Sequence, residues 1–219
     1  MCAIFVIKTS SGAVRVELDT DPNQSDLELN GRFVPYSKAP VVVSRQNKNI
    51  IKKMNFSLVP HWSKTPKVKF ATHNARLDTI LEKPTWREPF VKKHCLVPIS
   101  EFIESITEVG KKFAGNLVRL HEKENGLMVA AGIYDEWVNK DTGEIIESFA
   151  ILTAEPPPFI AEIGHDRCPV FISKPFYNDW LNYSGDGKGA LALLKQAHRD
   201  FDFDVKIDRP LKAGWEKRG

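Results

Sequence analysis

The stretch MVAAGIYDEWVNKDTGEIIESFAILTA, residues 128–154, decides the fold of this chain. It contains two apolar runs, residues 128–134 and 148–153, that have the length and composition of β-strands. Between them, Asp141-Thr142-Gly143 is a typical turn sequence. The pattern predicts an antiparallel hairpin, and therefore a fold with a β-sheet at its core.

Other short β-rich runs flank this hairpin and are bounded by Gly, Pro, Asn or Asp, which interrupt strands. They cover residues 3–7, 13–17, 40–44, 54–59, 95–97, 115–120 and 170–172. Helical patterns are fewer, at residues 74–82, 175–182 and 190–199. We therefore expect a single α+β domain over residues 1–219, with a curved, mostly antiparallel, barrel-like sheet and a few peripheral helices. Residues 183–219 are expected to form a flexible loop and a C-terminal extension.

The composition is that of a soluble globular protein, with 42% hydrophobic and 27% charged residues among 219. No apolar stretch approaches the roughly 18 residues that cross a bilayer, and no signal peptide is visible. We therefore expect no membrane partner and a cytoplasmic protein, associated with the nucleoid if it is bacterial. Cys2, Cys95 and Cys168 are too scattered for a disulfide framework or a zinc site, and the sequence has no P-loop, Rossmann or GxSxG motif. We predict no metal and no cofactor.

Basic and aromatic residues alternate along one segment of the chain. Trp62, Phe70, Trp86 and Phe90 interleave with Lys64, Lys67, Lys69, Arg76, Lys83, Arg87, Lys92, Lys93 and His94. This alternation of cations and stacking surfaces is typical of proteins that bind single-stranded nucleic acid. The net charge of +3 permits such binding without requiring it, and a solvated basic face is the alternative.

Cysteine is the second residue, so removal of Met1 would leave a free amine and a thiol on Cys2. The reference pKa values of these groups, roughly 8 and 8.5, make both partly reactive near neutral pH. An amine condenses with an aldehyde to a Schiff base, and a neighbouring thiol can close on it to a five-membered thiazolidine. The alternative is that Cys2 is a small hydrophobic residue at the start of the first strand.

Four polar segments are candidates for a site. Trp62, in a Pro-His-Trp turn, is either a core anchor or a platform for a base. Asn74 and Arg76 either cap a helix and lie on its surface, or they bind ligand groups, Asn74 a small polar group and Arg76 a phosphate. Glu104 follows two apolar residues, where burial would suit it to acid–base chemistry, and an exposed carboxylate is the alternative. His165, in a polar loop, is either a proton-transfer group or a structural histidine.

Taken together, these segments resemble the SRAP family, named for an SOS response-associated peptidase domain. The matches run in order over roughly residues 1–175: Met1-Cys2, Ala39-Pro40, Leu58-Val59-Pro60-His61-Trp62, Asn74-Ala75-Arg76-Leu77-Asp78-Thr79, Lys83-Pro84-Thr85-Trp86-Arg87, Cys95-Leu96-Val97-Pro98 closing on Glu104, Ala131-Gly132-Ile133-Tyr134, Leu152-Thr153-Ala154 and His165-Asp166-Arg167-Cys168-Pro169-Val170. No single motif is specific, but the ordered set that begins at Cys2 is.

The resemblance implies a sensor of abasic sites in single-stranded DNA that crosslinks to them covalently, with thiol-peptidase and lyase-like chemistry. The catalytic residues that it implies are Cys2, Asn74, Glu104 and His165. The DNA-binding residues that it implies are Pro40, Trp62, Arg76, Arg87, Thr153 and Arg167. The expected partner is single-stranded DNA that contains an abasic site. We expect a monomer and infer no obligate protein partner.

This chain departs from the family pattern at several positions. Cys2-Ala3-Ile4 replaces Cys-Gly-Arg, which removes one expected phosphate contact, and Ser105, Asp78 and Cys168 replace the usual Trp, Glu and Met or Arg. Two other classes of protein remain alternatives. An N-terminal-nucleophile amidohydrolase would also begin with cysteine, and a non-covalent single-strand-binding module would use only the basic and aromatic segment.

Overall fold

The computed structural model describes residues 3–24 and 27–218, with Lys217 and Arg218 described by their backbone alone. In chain order the strands are β1 (Ile4–Ile7), β2 (Gly31–Phe33), β3 (Lys38–Arg45), β4 (Lys48–Phe56), β5 (Asn74–Arg76), β6 (His94–Ile99), β7 (Glu101–Ile106), β8 (Asn116–Glu122), β9 (Met128–Val138), β10 (Ile145–Ala154), β11 (Cys168–Pro169) and β12 (Phe203–Pro210). The helices are α1 (Ser11–Leu18), α2 (Pro84–Lys92), α3 (Pro158–Glu162), α4 (Tyr177–Leu181) and α5 (Gly187–Ala197). Single turns of 3₁₀ helix lie at Leu77–Thr79, Lys174–Phe176 and Trp215–Arg218.

Five strands close into a barrel in the order β4-β3-β6-β9-β10, and β10 returns to β4. The β9–β10 hairpin is antiparallel with Phe149 opposite Tyr134, as the turn sequence predicts. The barrel pairs are antiparallel except β10 with β4, which is parallel. The predicted barrel-like, mostly antiparallel core with peripheral helices is therefore confirmed.

A second sheet of five antiparallel strands, in the order β12-β8-β7-β1-β2, packs beside the barrel. Phe5 of β1 and Phe102 of β7 lie in one apolar cluster with Phe56 and Phe149 of the barrel. A second apolar cluster joins the barrel to α1, α2, α4 and α5. Because alternate residues of a strand point to opposite faces, one barrel strand contributes to both clusters, as Val41 and Val42 do.

Two short strands extend the barrel at β10, where the candidate site lies. β5 runs parallel to β10, with Asn74 opposite Ile151 and Arg76 opposite Thr153. β11 runs antiparallel to β10, with Pro169 opposite Thr153. The register therefore brings the Asn74–Arg76 segment and the Cys168-Pro169 segment to the same end of β10.

Two predicted elements are wrong. Residues 13–17 form part of helix α1 instead of a strand, because Ser10 caps the Ala13 amide at 3.2 Å and Val14 and Leu18, four residues apart, are both buried. Residues 74–82 are not a helix, because backbone pairing with β10 makes residues 74–76 a strand.

The C-terminal part of the chain is packed against the rest of the fold. Helix α5 buries Ala190, Leu194 and Ala197, and β12 pairs with β8 along its length. The described residues contain no helix that is both long enough and apolar enough to cross a membrane.

The buried histidine His94 makes the stability of the fold depend on pH. Its Nε2 donates to the Phe90 carbonyl oxygen at 2.8 Å, and its ring lies 4.2 Å from the Trp180 ring, centroid to centroid. Burial lowers the pKa of His94, although the hydrogen bond to Phe90 opposes this effect. The unfolded chain therefore binds a proton more readily than the folded one below the reference pKa of about 6.5.

We expect the free energy of unfolding to be constant above about pH 6.5 and to fall as the pH drops below it. Denaturant titrations between pH 8 and pH 5 measure this dependence. A His94→Phe variant should show a shallower dependence, and a slope equal to that of the unsubstituted protein would contradict the role given to His94.

Candidate active site

A buried acid–base pair lies at the end of β7. The Nε2 atom of His165 is 3.1 Å from Oε2 of Glu104, and the two side chains are 5% and 1% exposed. Glu104 is held on β7 opposite Val118 of β8, between Ile103 and Ser105. Carboxylate and imidazole groups are the side chains that most often accept and donate protons in catalysis, so the pair is suited to acid–base chemistry.

The loop after α3 fixes the orientation of His165. The His165 amide donates to the Ile160 carbonyl oxygen at 3.2 Å, which closes the turn at the end of the helix. The Nδ1 atom lies 2.9 Å from the Arg167 carbonyl oxygen and 3.3 Å from the Arg167 amide nitrogen. Each ring nitrogen therefore has a defined neighbour, and the orientation of the ring directs Nε2 towards Glu104.

The N-terminal strand leads to this pair. Ile4, the first residue of β1, lies opposite Ile103, the residue that directly precedes Glu104. Phe5 lies opposite Phe102, so the register of β1 along β7 is fixed by two buried aromatic residues. Cys2, the predicted nucleophile, lies outside the described residues.

Strand β5 places Asn74 on the same side of the barrel. Asn74 is 6% exposed, and the amide of its partner Ile151 donates to the His73 carbonyl oxygen at 3.0 Å. Burial lowers the pKa of His73, and the charge of the Glu104 carboxylate acts on His73 in the opposite direction. His73, the residue before Asn74, therefore lies within the electrostatic reach of Glu104.

Strand β11 approaches Glu104 from the other side of β10. Burial raises the pKa of the Cys168 thiol, and the Glu104 carboxylate raises it further. Thr153, between Arg76 and Pro169, is fully buried, and its hydroxyl has no hydrogen-bond partner among the described residues. A buried polar group of this kind is available to a ligand that reaches it.

Arg167 is tied to the β5 segment by an ion pair. Its Nη2 atom donates to Oδ2 of Asp78 at 2.6 Å. The hydrogen bond from Arg167 holds the pKa of Asp78 below its usual value. The Asn74–Asp78 and His165–Arg167 segments, far apart in sequence, are thus joined at the surface beside the buried pair.

Trp62 lies on a turn that is anchored at two points. The buried carboxylate of Asp135 accepts hydrogen bonds from the His61 amide at 2.8 Å and from Lys93 Nζ at 2.7 Å, and Trp137 Nε1 donates to the Ser63 carbonyl oxygen at 2.8 Å. Burial raises the pKa of Asp135, but these hydrogen bonds outweigh it, so the pKa lies below its usual value. Trp62 itself is 51% exposed on this fixed turn.

The remaining predicted DNA contacts are more dispersed. Arg87 is exposed on α2, and Pro40 is buried on the face of β3 opposite Ala39 and Val41. The described contacts join neither of them to the Glu104–His165 pair. The structure thus brings together Asn74, Glu104, His165, Thr153, Arg76 and Arg167, and leaves Pro40, Arg87 and Trp62 outside that group.

The basic and aromatic segment is only partly a surface. Trp62 and Phe70 are half exposed, but Trp86 and Phe90, on the buried face of α2, lie in the core. His94 is buried as well, so it is not one of the surface cations. The prediction that all four aromatic residues interleave with surface cations is therefore wrong for two of them.

An open cleft of about 790 Å³ lies in front of His165. Its wall includes Ser105 of β7 and Glu108 after that strand, Glu155 after β10, and Gly164 and Asp166 beside His165. Sequence reasoning assigned no role to His73 or Glu155, although each directly adjoins a motif segment. Adjacency to Asn74 was the signal available for His73.

A family model described as SOS response associated peptidase (SRAP) matches residues 1–206. The chain belongs to this family. It is 29% identical over 207 residues to the abasic site processing protein YoqW of Bacillus subtilis, covering 94% of this chain and 91% of that one. It is 30% identical over 184 residues to YobE of the same organism, also named an abasic site processing protein, covering 83% of this chain and 82% of that one.

Solved structures share the fold. A protein from Bacteroides thetaiotaomicron, 24% identical, superposes with a TM-score of 0.75 over 100% of both chains. A protein from Bordetella bronchiseptica, 18% identical, gives a TM-score of 0.76 over 95% of this chain and 100% of that one. At these identities the likeness concerns the fold alone.

Proposed function

We propose that this protein captures abasic sites in single-stranded DNA by forming a covalent bond through Cys2. Membership of the SRAP family and the names of the Bacillus relatives support a role in abasic-site processing. The observation that carries the proposal is the buried Glu104–His165 pair beside the first residue of β1.

The proposal requires Cys2 to reach this pair from the start of β1. Cys2 precedes Ile4 by two residues, and two residues span at most about 7 Å between Cα atoms. Ile4 itself lies opposite Ile103, the residue that directly precedes Glu104. Removal of Met1 then supplies a free amine and a thiol on Cys2, two residues before Ile4.

The chemistry follows from the groups present. The ring-opened form of an abasic deoxyribose is an aldehyde, and the Cys2 amine adds to it to give a carbinolamine. Loss of one water gives a Schiff base, and addition of the Cys2 thiol across the C=N bond closes a thiazolidine. No electrons are gained or lost overall, and one water molecule leaves.

Each step needs a proton to move, and the buried pair can move it. Glu104 accepts a proton from the Cys2 ammonium, which frees the amine to attack. His165 assists opening of the sugar ring and donates a proton to the hydroxyl that leaves as water. Asn74, with its backbone fixed by β10, positions the N-terminal amine through its side-chain amide.

The surrounding residues suit a DNA strand. Arg76 is available to the phosphates, Arg167 reaches them only by leaving its ion pair with Asp78, and the Thr153 hydroxyl is available to a donor or acceptor on the sugar. Exposed lysines at positions 64, 67 and 69 surround Trp62 and Phe70 on the loop before β5. Cations beside exposed aromatic rings bind single strands through phosphate attraction and base stacking.

The proposal is tested with a single-stranded oligonucleotide that carries one abasic site. The Met1-trimmed protein should give a slowly migrating species on a denaturing gel without any reductant. Cys2→Ala keeps an N-terminal amine but lacks the thiol, so it should give that species only when borohydride traps the Schiff base. An equally heat-stable species from Cys2→Ala, or none from the unsubstituted protein, would refute the proposal.

Trp62→Ala should weaken non-covalent binding of single-stranded DNA by roughly 5- to 100-fold, because stacking of one base contributes about 1–3 kcal/mol. Fluorescence anisotropy with an oligonucleotide that lacks an aldehyde measures this affinity. Phe159→Ala, a 37% exposed aromatic residue on α3, is the matched control and should bind like the unsubstituted protein. An equal loss of affinity in the Trp62→Ala and Phe159→Ala variants would contradict a specific role of Trp62 in base stacking.

A further inference from the structure

A second groove, distinct from the cleft at His165, lies between α5 and the end of β10. Its volume is about 430 Å³, within the range of roughly 300–1,000 Å³ that small-molecule sites occupy. Its apolar walls come from three elements: Leu191 and Leu194 of α5, Ala154 of β10 and the segment that follows β11, with Val170. An aliphatic wall of this kind removes apolar surface of a ligand from water.

The rim of this groove is polar but close to neutral. Arg167 is paired with Asp78 at 2.6 Å, and His198 Nε2 lies 3.0 Å from Oδ1 of Asp200. Lys195 and Glu155 complete the rim with one positive and one negative charge. A groove with matched charges and apolar walls does not favour a phosphodiester. It favours an uncharged planar group that carries both donors and acceptors on its edge.

The groove adjoins the proposed active site. Glu155 lines both this groove and the cleft in front of His165. Arg167 lines the groove two residues after His165 in the chain. A third, smaller cavity of about 140 Å³ shares Glu155 and Val170 with the groove and extends it towards Phe171. A DNA strand bound at His165 therefore has a neighbouring nucleotide within reach of the groove.

We propose that the groove holds an unpaired nucleobase of the bound strand, the one next to the abasic site. This inference rests on the proposed function, since it requires a strand at the Glu104–His165 pair. A base beside an abasic site has lost one stacking partner, so turning it out of the strand costs less than it does elsewhere. The aliphatic walls contact its ring faces, as apolar side chains do for extruded bases.

The rim also gives the groove a preference among bases. The Glu155 carboxylate accepts a hydrogen bond from an exocyclic amino group, and Lys195 donates to a ring nitrogen or a carbonyl oxygen. Adenine, cytosine and guanine carry an amino group, whereas thymine does not. We therefore expect thymine at this position to bind more weakly than the other three bases.

The test measures the affinity of protein variants for DNA variants and needs no covalent chemistry. Oligonucleotides carry a central tetrahydrofuran site, which lacks an aldehyde, and each flanking base in turn is replaced by a second tetrahydrofuran. For the unsubstituted protein, removal of the base at one flank should weaken affinity by about five- to tenfold. Leu191→Gln and Lys195→Gln should bind the two oligonucleotides with nearly equal affinity.

Lys188→Gln, at an exposed position of the same helix that does not line the groove, is the matched control and should keep the full ratio. Each ratio compares two ligands of one protein preparation, so partial unfolding of a variant does not change it. An unchanged ratio in both groove variants, or no effect of base removal at either flank, would overturn the proposal. Failure of the covalent capture itself would show in the Cys2 experiment and leave these ratios unaffected.

Discussion

Replacing Glu104 by Gln is expected to slow formation of the crosslink by about 10²- to 10⁴-fold, the range that general acid–base catalysis contributes. The substitution keeps the shape of the side chain and its contact with His165 but removes the group that accepts the proton of the Cys2 ammonium. Single-turnover kinetics, with the covalent species quantified on denaturing gels, measures the rate. The loss should shrink as the pH rises, because the amine then loses its proton to the solvent.

Glu108→Gln is the matched control for this experiment, since Glu108 lines the same cleft but is not part of the buried pair. It should form the crosslink at the rate of the unsubstituted protein. If both variants react equally fast at neutral pH, the assignment of Glu104 as the base is wrong, and the amine is deprotonated by another group.

Phe56→Ala is expected to have the largest effect on stability, a loss of about 3–5 kcal/mol in the free energy of unfolding. Phe56 is fully buried, and its ring centroid lies 5.3 Å from that of Phe5, 5.2 Å from Phe149 and 5.9 Å from His73. The ring therefore joins β1, β10 and the residue before Asn74. Its removal leaves a cavity where these elements meet.

Denaturant unfolding followed by circular dichroism measures this change. Phe70→Ala, at a 49% exposed aromatic position, should shift the free energy of unfolding by no more than about 0.5 kcal/mol. A loss below about 1 kcal/mol for Phe56→Ala would show that the barrel and the N-terminal strand are not packed around this ring.

The sequence predicted the barrel because its strands carry their own local signals. The β9–β10 hairpin is marked by a turn sequence, and β3 and β6 are apolar runs. Strand β7 was not predicted, because Ser100 is the only residue between it and β6 and no glycine or proline follows Ile99. Strand β12 alternates charged and apolar residues, and its pairing with β8 depends on tertiary contacts that a local pattern does not contain.

The candidate site could be predicted residue by residue but not as an arrangement. Glu104 was singled out by the two apolar residues before it and is buried in the structure, and His165 was singled out by its polar loop. Their contact at 3.1 Å links positions far apart in the chain and depends on tertiary packing that a local pattern does not contain. Trp86 was predicted on a binding surface but is buried, because the sequence around an aromatic residue does not distinguish a core position from a surface position.

The central claim, covalent capture by both groups of Cys2, is tested most directly by counting thiols in the purified conjugate. The chain has three cysteines, so the denatured free protein should be alkylated three times. The heat-stable conjugate should have the mass of the protein without Met1 plus the oligonucleotide minus one water, and only Cys95 and Cys168 should be alkylated. A stable conjugate that is alkylated at three thiols, or one that retains Met1, would contradict the account.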